Sequence, residues 1–593
     1  MRVENGFQVT PFVEENPYTS DTVLPSLLRR ILPSELLGEI ENDLTRFGGE
    51  VITSIRALGS GNRVAPPRLI QYDQWGRRVD ILETSEGWRD LKAAAQKEGI
   101  PAIFYERIYG EHSRVYGFAK VLLMVGDSHE VFCPLSMTDG TARVLELLGS
   151  DEMKKEFLPR LTSRDPSYAF TAGQWMTERP GGSDVSRTET VASPTNITNQ
   201  LGSQYALNGF KWFSSATDSD IAVALARTGS VEQGSRALSL FLIPLRLPLL
   251  RSPTEPEPSP TSNRIFVHRL KNKIGTHTLP TAELSLEGTK AYLIGSLNQG
   301  VKNISPVLNI TRVWSAMGSI GGLRKCLAIA TAYSKVRAVQ GGRTLLKDAP
   351  IHVSQLASLH ILYRALTHLV FGAVQLLGKA ECGVATVEEL RRLRILTPTV
   401  KAFSAEKAPA AMEEAMTTLG GAGYMEENGF GQLIRDSLVE KIWEGTTTVL
   451  SLDIARAAQD PANVGALLTW ARGIIASSPY VLSGQMKDAL QLLKSGLNEI
   501  QTSYKLPIKP LVARPGLLLI GHVVSAIYLL EHATWSHSAS QPGAYIDAEV
   551  FRRWTMEGGL AVALEDVEAA RTATNDRIRF NSSLVYPNSK AKL

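Results

Sequence analysis

The chain has 593 residues, 44% of them hydrophobic and 21% charged. At roughly 150 residues per domain, that predicts about three or four domains, each able to bury a core. Sixty-three Lys+Arg against fifty-nine Asp+Glu give +4, too even a balance for a nucleic-acid binder or a polybasic membrane protein.

Three scattered cysteines, Cys133, Cys326 and Cys382, argue against a secreted disulfide framework. No CxxC, HExxH, Walker A or GxSxG pattern occurs, so zinc, P-loop and serine-hydrolase chemistry are not expected, and no metal site is assigned. The expectation is a soluble, intracellular, multidomain protein.

Residues 1–18 are polar and carry Glu4, Glu14 and Glu15, unlike a signal or transit peptide. Residues 1–165 are expected to form a helical domain, with apolar residues at three- and four-residue spacings over 27–161, clearest at 119–124. A Gly-, Arg- and Pro-rich loop at 59–67 interrupts it. Over 166–295 the period changes to two, which predicts a β domain. Its expected strands are 205–213, a hairpin around Asn208-Gly209, then 221–227, 237–243 and 281–287, with a Pro-rich surface loop at 253–260.

Residues 296–458 read as a helical bundle. Leu356, Leu359, Tyr363, Leu366, Val370, Ala373 and Leu377 step by threes and fours along one seam. Asp460-Pro461 breaks the chain, and 459–593 reads as a helical extension. The longest apolar run, 516–530, contains His522; as a run it is too short to span a bilayer and is expected to be a buried helix. Ala591-Lys592-Leu593 resembles the Ser-Lys-Leu peroxisomal address. It implies a peroxisomal import receptor as partner and a peroxisomal location, or a cytoplasmic one if the match is fortuitous.

The sharpest stretch is Gln174-Trp175-Met176-Thr177-Glu178-Arg179-Pro180-Gly181-Gly182-Ser183-Asp184. Its glycine pair lets backbone N–H groups approach an anion, and Ser183 can donate a further hydrogen bond. Thr177 can offer hydroxyl and N–H to a flat heterocycle. By itself the stretch is equally a turn held by Ser and Asp side chains.

Three more blocks follow in order: Asn208-Gly209-Phe210-Lys211-Trp212-Phe213-Ser214-Ser215, Leu419-Gly420-Gly421-Ala422-Gly423-Tyr424, and Arg435-Asp436 with Ile442-Trp443-Glu444-Gly445-Thr446. Together the four resemble the signatures of the acyl-CoA dehydrogenase superfamily. Pro66-Pro67-Arg68-Leu69, Tyr72-Asp73, Gly76-Arg77-Arg78-Val79-Asp80 and the carboxyl-terminal extension are similar to its AidB-like branch.

The resemblance implies an α+β fold, mostly α: an N-terminal helical domain, a middle β-barrel, a C-terminal helical bundle and an extension. It implies FAD, with Met176, Thr177, Phe213 and Ser215 around the isoalloxazine and Ser183 toward phosphate or ribityl oxygens. Trp443, Gly445, Thr446 and Thr448 would line the other side of the cofactor. Gly420, Gly421 and Arg337 would meet the ADP and pyrophosphate part, commonly in a neighbouring subunit, so a homodimer or homotetramer is implied.

Glu444 is the implied catalytic base. It would take the α-proton of an acyl-CoA substrate while the β-hydrogen leaves as hydride, making the chain an acyl-CoA dehydrogenase or oxidase. Oxygen or an electron-transfer flavoprotein is the implied acceptor. The resemblance also departs in places: Arg337-Ala338-Val339-Gln340-Gly341 lacks the usual aromatic, Thr417 stands for a Gln, and Gly275-Thr276-His277-Thr278 lacks an Arg. His277 is therefore either near substrate or a solvated loop residue. The alternative function is an AidB-like flavoprotein with little turnover that binds acyl chains or acyl-CoA. Nucleic-acid binding is disfavoured, because residues 459–593 hold thirteen Lys+Arg against eleven Asp+Glu.

Overall fold

A computed structural model describes residues 10–250 and 257–587. The Ala591-Lys592-Leu593 tail and much of the 253–260 stretch lie outside the described residues.

The amino-terminal region holds α1 (Leu24–Ile31), α2 (Ser34–Glu50), α3 (Arg56–Leu58), α4 (Glu86–Lys97), α5 (Ile103–Glu106), α6 (Ser113–Met124), α7 (Phe132–Leu148) and α8 (Asp151–Leu161). It is not helical throughout. Strands β1 (Arg68–Tyr72) and β2 (Arg78–Glu83) form an antiparallel hairpin, with Arg68 opposite Glu83. Asp73 makes its turn by accepting from the backbone N–H groups of Trp75 and Arg77, both at 2.9 Å. The period-two pattern of these two short strands is lost within a longer helical signal.

Buried charge ties the helices together. Arg114, fully buried on α6, grips Asp139 of α7 through Nη1 at 2.5 Å and Nη2 at 3.0 Å. Its Nε donates to Glu381 at 2.6 Å. The same Asp139 carboxylate accepts from Trp314 Nε1 at 2.8 Å and from the Tyr105 hydroxyl at 2.8 Å.

The middle region is a closed barrel. Strands β3 (Ala172–Trp175), β4 (Val191–Asn199), β5 (Gly202–Ser215), β6 (Ile221–Arg227), β7 (Leu238–Pro244), β8 (Ile265–Leu270) and β9 (Thr281–Ile294) share one sheet. The ring runs β6, β4, β5, β9, β7 and back to β6, with β3 beside β6 and β8 beside β9. Alternation explains the wholly buried β6: Ile221, Val223 and Leu225 face the helices, while Ala222, Ala224 and Ala226 fill the barrel.

The expected hairpin at Asn208-Gly209 is instead the interior of β5, where the register shifts against β9. Gly209 is there for close approach, since a Cβ would lie 2.5 Å from Thr190 Oγ1.

Helices α9 (Gly300–Val336), α10 (Pro350–Glu381), α11 (Val387–Thr417), α12 (Phe430–Ser437) and α13 (Thr447–Ala457) form the bundle, with a short hairpin of β10 (Ala338–Val339) and β11 (Thr344–Leu345) after α9. The predicted seam residues lie on α10 and are buried. A capping box at Thr386 and Glu389 starts α11.

The extension comprises α14 (Pro461–Ser477), α15 (Tyr480–Gln485), α16 (Lys487–Ser503), α17 (Ala513–Ser538), α18 (Ala544–Glu557), α19 (Leu560–Thr572) and α20 (Asn575–Val585). The apolar run at 516–530 lies in α17, which is longer than the run. By length and composition this helix and α10 could each cross a membrane, yet 78% of each apolar window is buried in the fold. They are core helices here.

Asp139→Ala would leave the Arg114 charge half-paired and strand the Trp314 donor, while Tyr105 keeps the backbone carbonyl of residue 139. Removing one partner of such a buried pair is expected to lower stability by about 3–5 kcal/mol. Urea unfolding with matched slopes checks this; a loss below about 1 kcal/mol would refute the assigned weight of the cluster.

Candidate active site

Glu444 lies in the turn before α13, and its backbone is left-handed at φ +55, followed by Gly445 at φ +100. That conformation costs a non-glycine residue about 1–2 kcal/mol and persists only where its surroundings over-determine it. Lys401 Nζ donates to the Gly445 carbonyl at 2.6 Å. The Thr446 hydroxyl caps α13 by accepting from Val449 N at 3.2 Å. A Cβ at Gly445 would lie 2.9 Å from Leu450 Cδ2, so glycine is required twice over.

The turn sends the Glu444 carboxyl back to α9, where Thr311 Oγ1 donates to Oε2 at 2.5 Å. Burial raises its pKa, and the Thr311 hydrogen bond with the charges of Arg312 and Lys401 offsets that only in part. Arg312 is itself held by Asp453 of α13 at 2.9 Å, and Asp453 also takes Arg394 of α11 at 2.7 Å.

A second carboxyl sits behind the first. Glu440 is buried, and its Oε2 accepts from Trp443 Nε1 at 2.6 Å and from Ser315 Oγ. Gly318 leaves room for it, since a Cβ there would come within 2.7 Å of Glu440 Oε1. Burial lifts Glu440 to about 7 against its Ser315, Trp443 and Lys401 partners, with Glu444 lifting it further. Burial also lowers Lys401 to about 8 despite the two nearby carboxylates.

The barrel supplies the opposite side. Buried Lys211 donates to Glu178 Oε1 at 2.6 Å and to Leu225 O at 2.8 Å. Glu178 also accepts from the backbone of Glu189 at 2.6 Å and of Thr190 at 3.2 Å. Burial alone would raise Glu178, but Lys211 holds it below its ordinary value.

This pair locks the Met176–Asp184 stretch onto β5, where Trp212 N donates to Thr177 O at 3.0 Å. Gly182 packs so closely on Thr177 that a Cβ would sit 2.5 Å from Oγ1. Met176, Thr177 and Ser215 are half-buried, Ser183 is exposed, and Phe213 is 48% exposed. Ser215 shares a 3.1 Å hydrogen bond with Thr281, whose hydroxyl also accepts from Lys273 Nζ at 3.1 Å.

Cys133 marks where the two sides meet. Burial raises its thiol, and it feels Glu130 and Lys273 as well as Glu444 and Glu440. Burial lowers Lys273 to about 8. His277 is exposed on the same loop, its Nε2 2.7 Å from Lys273 O, which favours the solvated-loop reading.

Arg337, Gly420 and Gly421 are not brought to Glu444. Arg337 is the exposed C-cap residue of α9, about 39 Å along the helix from Thr311 at 1.5 Å per residue. Gly420 (φ +61) and Gly421 lie exposed beyond the end of α11, about 24 Å past Lys401 on the same rise. Gln355 of α10 donates to Glu414 at 2.5 Å and meets Thr417 at 3.4 Å, so both features share one end of the bundle. Thr448 is exposed, accepting from Arg514 at 3.5 Å. Sequence reasoning missed Thr311, Ser315, Lys401 and Glu440. The four-residue spacings 311/315 and 440/444 were the available signals.

Residues 7–167 match the Adaptive response protein AidB N-terminal domain family. Residues 173–289 match the acyl-CoA dehydrogenase middle domain family and residues 298–459 the acyl-CoA dehydrogenase C-terminal domain family. The chain is 37% identical to acyl-CoA dehydrogenase family member 11 of Caenorhabditis elegans, over 99% of this chain and 94% of that one. It is 28% identical to putative acyl-CoA dehydrogenase AidB of Escherichia coli, over 78% and 81%. Its fold is similar to the crystal structure of C. elegans ACDH-11 in complex with C11-CoA, with TM-score 0.87, 34% identity and coverage of 99% and 98%. It also resembles the Bd2924 apo-form, with TM-score 0.79, 39% identity and coverage of 89% and 100%.

Proposed function

Since the chain belongs to the acyl-CoA dehydrogenase family, in its AidB-like branch, we propose that it is an FAD enzyme that introduces an α,β double bond into an acyl-CoA, with Glu444 as base. The observation that carries this reading is the Glu444 carboxyl itself, offered from a strained turn and raised in pKa by burial. An α-C–H is a weak acid, so a base of raised pKa is suited to it. The α-proton passes to the Glu444 carboxylate, and the β-hydrogen leaves with its electron pair. Bound FAD supplies the hydride acceptor. The C11-CoA complex of the C. elegans relative supports an acyl-CoA substrate.

The residues on the barrel side fit a flat cofactor. Phe213 is an aromatic with about half its surface uncovered, beside half-buried Met176, Thr177 and Ser215, and Gly182 keeps the neighbouring loop tight. Ser183 is open to phosphate or ribityl oxygens. Trp443, Gly445 and Thr448 belong to the facing segment. Thr446 accepts from Val449 in capping α13 and keeps its hydroxyl proton to donate. The distance of Arg337, Gly420 and Gly421 from Glu444 favours their serving the cofactor of a second copy, in a homodimer or homotetramer. Exposed Ile351, Tyr424 and Met425 at that end suit self-association.

Anaerobic mixing of the holoprotein with acyl-CoAs of graded length tests the reading through loss of flavin visible absorbance. Bleaching is expected. Tight acyl-CoA binding without bleaching at any length would establish the alternative, an acyl-CoA binder with little turnover. Reoxidation by oxygen or by an electron-transfer flavoprotein then assigns the acceptor.

Glu444→Gln is expected to abolish bleaching while acyl-CoA still binds. The base acts as a carboxylate, so activity falls as pH drops through its raised pKa. Thr311→Val removes a hydrogen bond to that carboxylate, worth about 1.5–3 kcal/mol. The acid limb of kcat/KM should therefore move up by about 1–2 pH units. A limb that stays in place would sever Thr311 from the base.

A further inference from the structure

We propose that Lys273 and Thr281 are positioning residues of the cofactor site: their hydrogen-bond chain fixes the Ser215 hydroxyl as a donor, so that its proton is offered to the flavin and makes the bound flavin easier to reduce. This rests on the reading that FAD lies against the barrel side.

Donor and acceptor counts fix the direction of the chain. The Lys273 ammonium has only protons to give, and it gives them to Leu279 O at 2.9 Å and to Thr281 Oγ1 at 3.1 Å. Thr281 Oγ1 lies 3.1 Å from Ser215 Oγ, a contact in which either hydroxyl could donate. The other acceptor within reach of the Thr281 proton is Leu279 O at 3.5 Å, a weak contact on an oxygen that Lys273 already takes. The Thr281 proton therefore goes to Ser215 Oγ. Ser215 then accepts, and its own proton has no acceptor among the described residues. That proton is left for the group that stands against the half-buried Ser215.

The backbone holds the chain in place. Ser215 and Thr281 are register partners across β5 and β9. Trp175 Nε1 donates to Ser215 O at 3.1 Å, and Lys271 N donates to Thr281 O at 2.8 Å at the base of the Lys273 loop. Beyond Lys273 the loop is tied down again, Thr276 N donating to Asp436 of α12 at 2.5 Å and the Thr278 hydroxyl to His129 O at 2.7 Å. A lysine kept only to close this loop would not need Thr281, since its bond to Leu279 O already spans it.

At pH 7 the chain begins in a charge. Burial lowers Lys273 to about 8, against the fields of Cys133, Glu130 and Asp436, and no ion pair of Lys273 occurs among the described residues. A cation polarises hydroxyls in series, so Ser215 donates more strongly than a serine without such a chain. Reduction brings an electron pair onto the ring, and a donor aimed there stabilises the charge that arrives.

The test reads the flavin without substrate. Wild-type holoprotein, Lys273→Met, Thr281→Val and Thr281→Ser are reduced to equilibrium against a reference dye at pH 7. Lys273→Met and Thr281→Val are each expected to lower the equilibrium constant for reduction about tenfold, the weight of a charge-assisted hydrogen bond, which is about 30 mV for a two-electron couple. Thr281→Ser keeps the hydroxyl and should stay near wild type. The visible bands of the oxidised flavin should shift in the two chain-breaking variants and not in the third.

Ser215→Ala completes the cycle. If Lys273 acts through Ser215, adding Lys273→Met to Ser215→Ala moves the potential no further. Shifts that add overturn the proposal, because the lysine would then act on the flavin by its field alone. An unmoved potential in Lys273→Met or in Thr281→Val also overturns it, even where FAD affinity falls, since that is what a lysine that only closes the loop would give. Should Lys273→Met not hold FAD, Thr281→Val retains the charge, cuts the chain and decides the matter by itself. Wild-type protein that takes up no FAD would sink the cofactor reading beneath the proposal, so the two failures are distinct.

Discussion

Everything in the molecule that bears on chemistry hangs from helix α9. Trp314 donates to Asp139, already gripped by Arg114, so the helix cannot slide along the amino-terminal helices without stranding a buried N–H. Thr311, Arg312 and Ser315, within one turn of that anchor, reach Glu444, Asp453 and Glu440. One rigid element thus meets both the buried Arg114–Asp139 ion pair and the candidate base. Ile304 and Val307, two turns and one turn before Thr311, pack against the outer face of the barrel. The helix is a common reference for both walls of the site.

The base region trades local strain for placement. A left-handed Glu444 and the following Gly445 would relax in an isolated peptide. Here Lys401 fixes the carbonyl of Gly445 while Thr446 starts a new helix at the next residue. The carboxylate is left with Thr311 as its short hydrogen bond and with the fields of two cations, Arg312 and Lys401. Such a group is ionised with difficulty and protonated with little rearrangement, as abstraction of a carbon-bound proton requires. The barrel side shows the opposite arrangement. Glu178 is fully satisfied by Lys211 and two amides, so it is a structural anion that holds Thr177 against β5.

The sequence motifs flagged Gly182, Gly209, Gly445 and Glu444 by position, while the close approach at Gly182 and Gly209 and the left-handed turn at Gly445 appear only in the fold. Periodicity found β6, whose bounds match the expected 221–227, because its two faces are both buried and both alternate. It missed the 68–83 hairpin, where each strand is short and surrounded by helix. It also placed a turn at Asn208-Gly209, where the glycine serves contact with Thr190. Glu440, Lys401 and Ser315 carry no signature of their own. Each is an ordinary polar residue on a helical face until the bundle folds and their three chain segments converge. A single sequence contains no term for that convergence, whereas Glu444 is flagged by its neighbours in the chain.

The helical extension reaches the site by packing. Gly521 of α17 lies flush against the Phe403 ring of α11, two residues beyond Lys401, and Gly372 of α10 accepts the Tyr528 ring in the same way. At the start of α17, Arg514 meets Thr448 at 3.5 Å and Glu406 at 3.5 Å. Thr448 is four residues past the base, and Glu406 takes the Thr447 hydroxyl at 3.4 Å. The extension thus braces α11 and the first turn of α13, the two elements that hold Gly445 from either side. A left-handed glutamate needs such bracing, because nothing within residues 443–446 alone would prevent the turn from relaxing into helix.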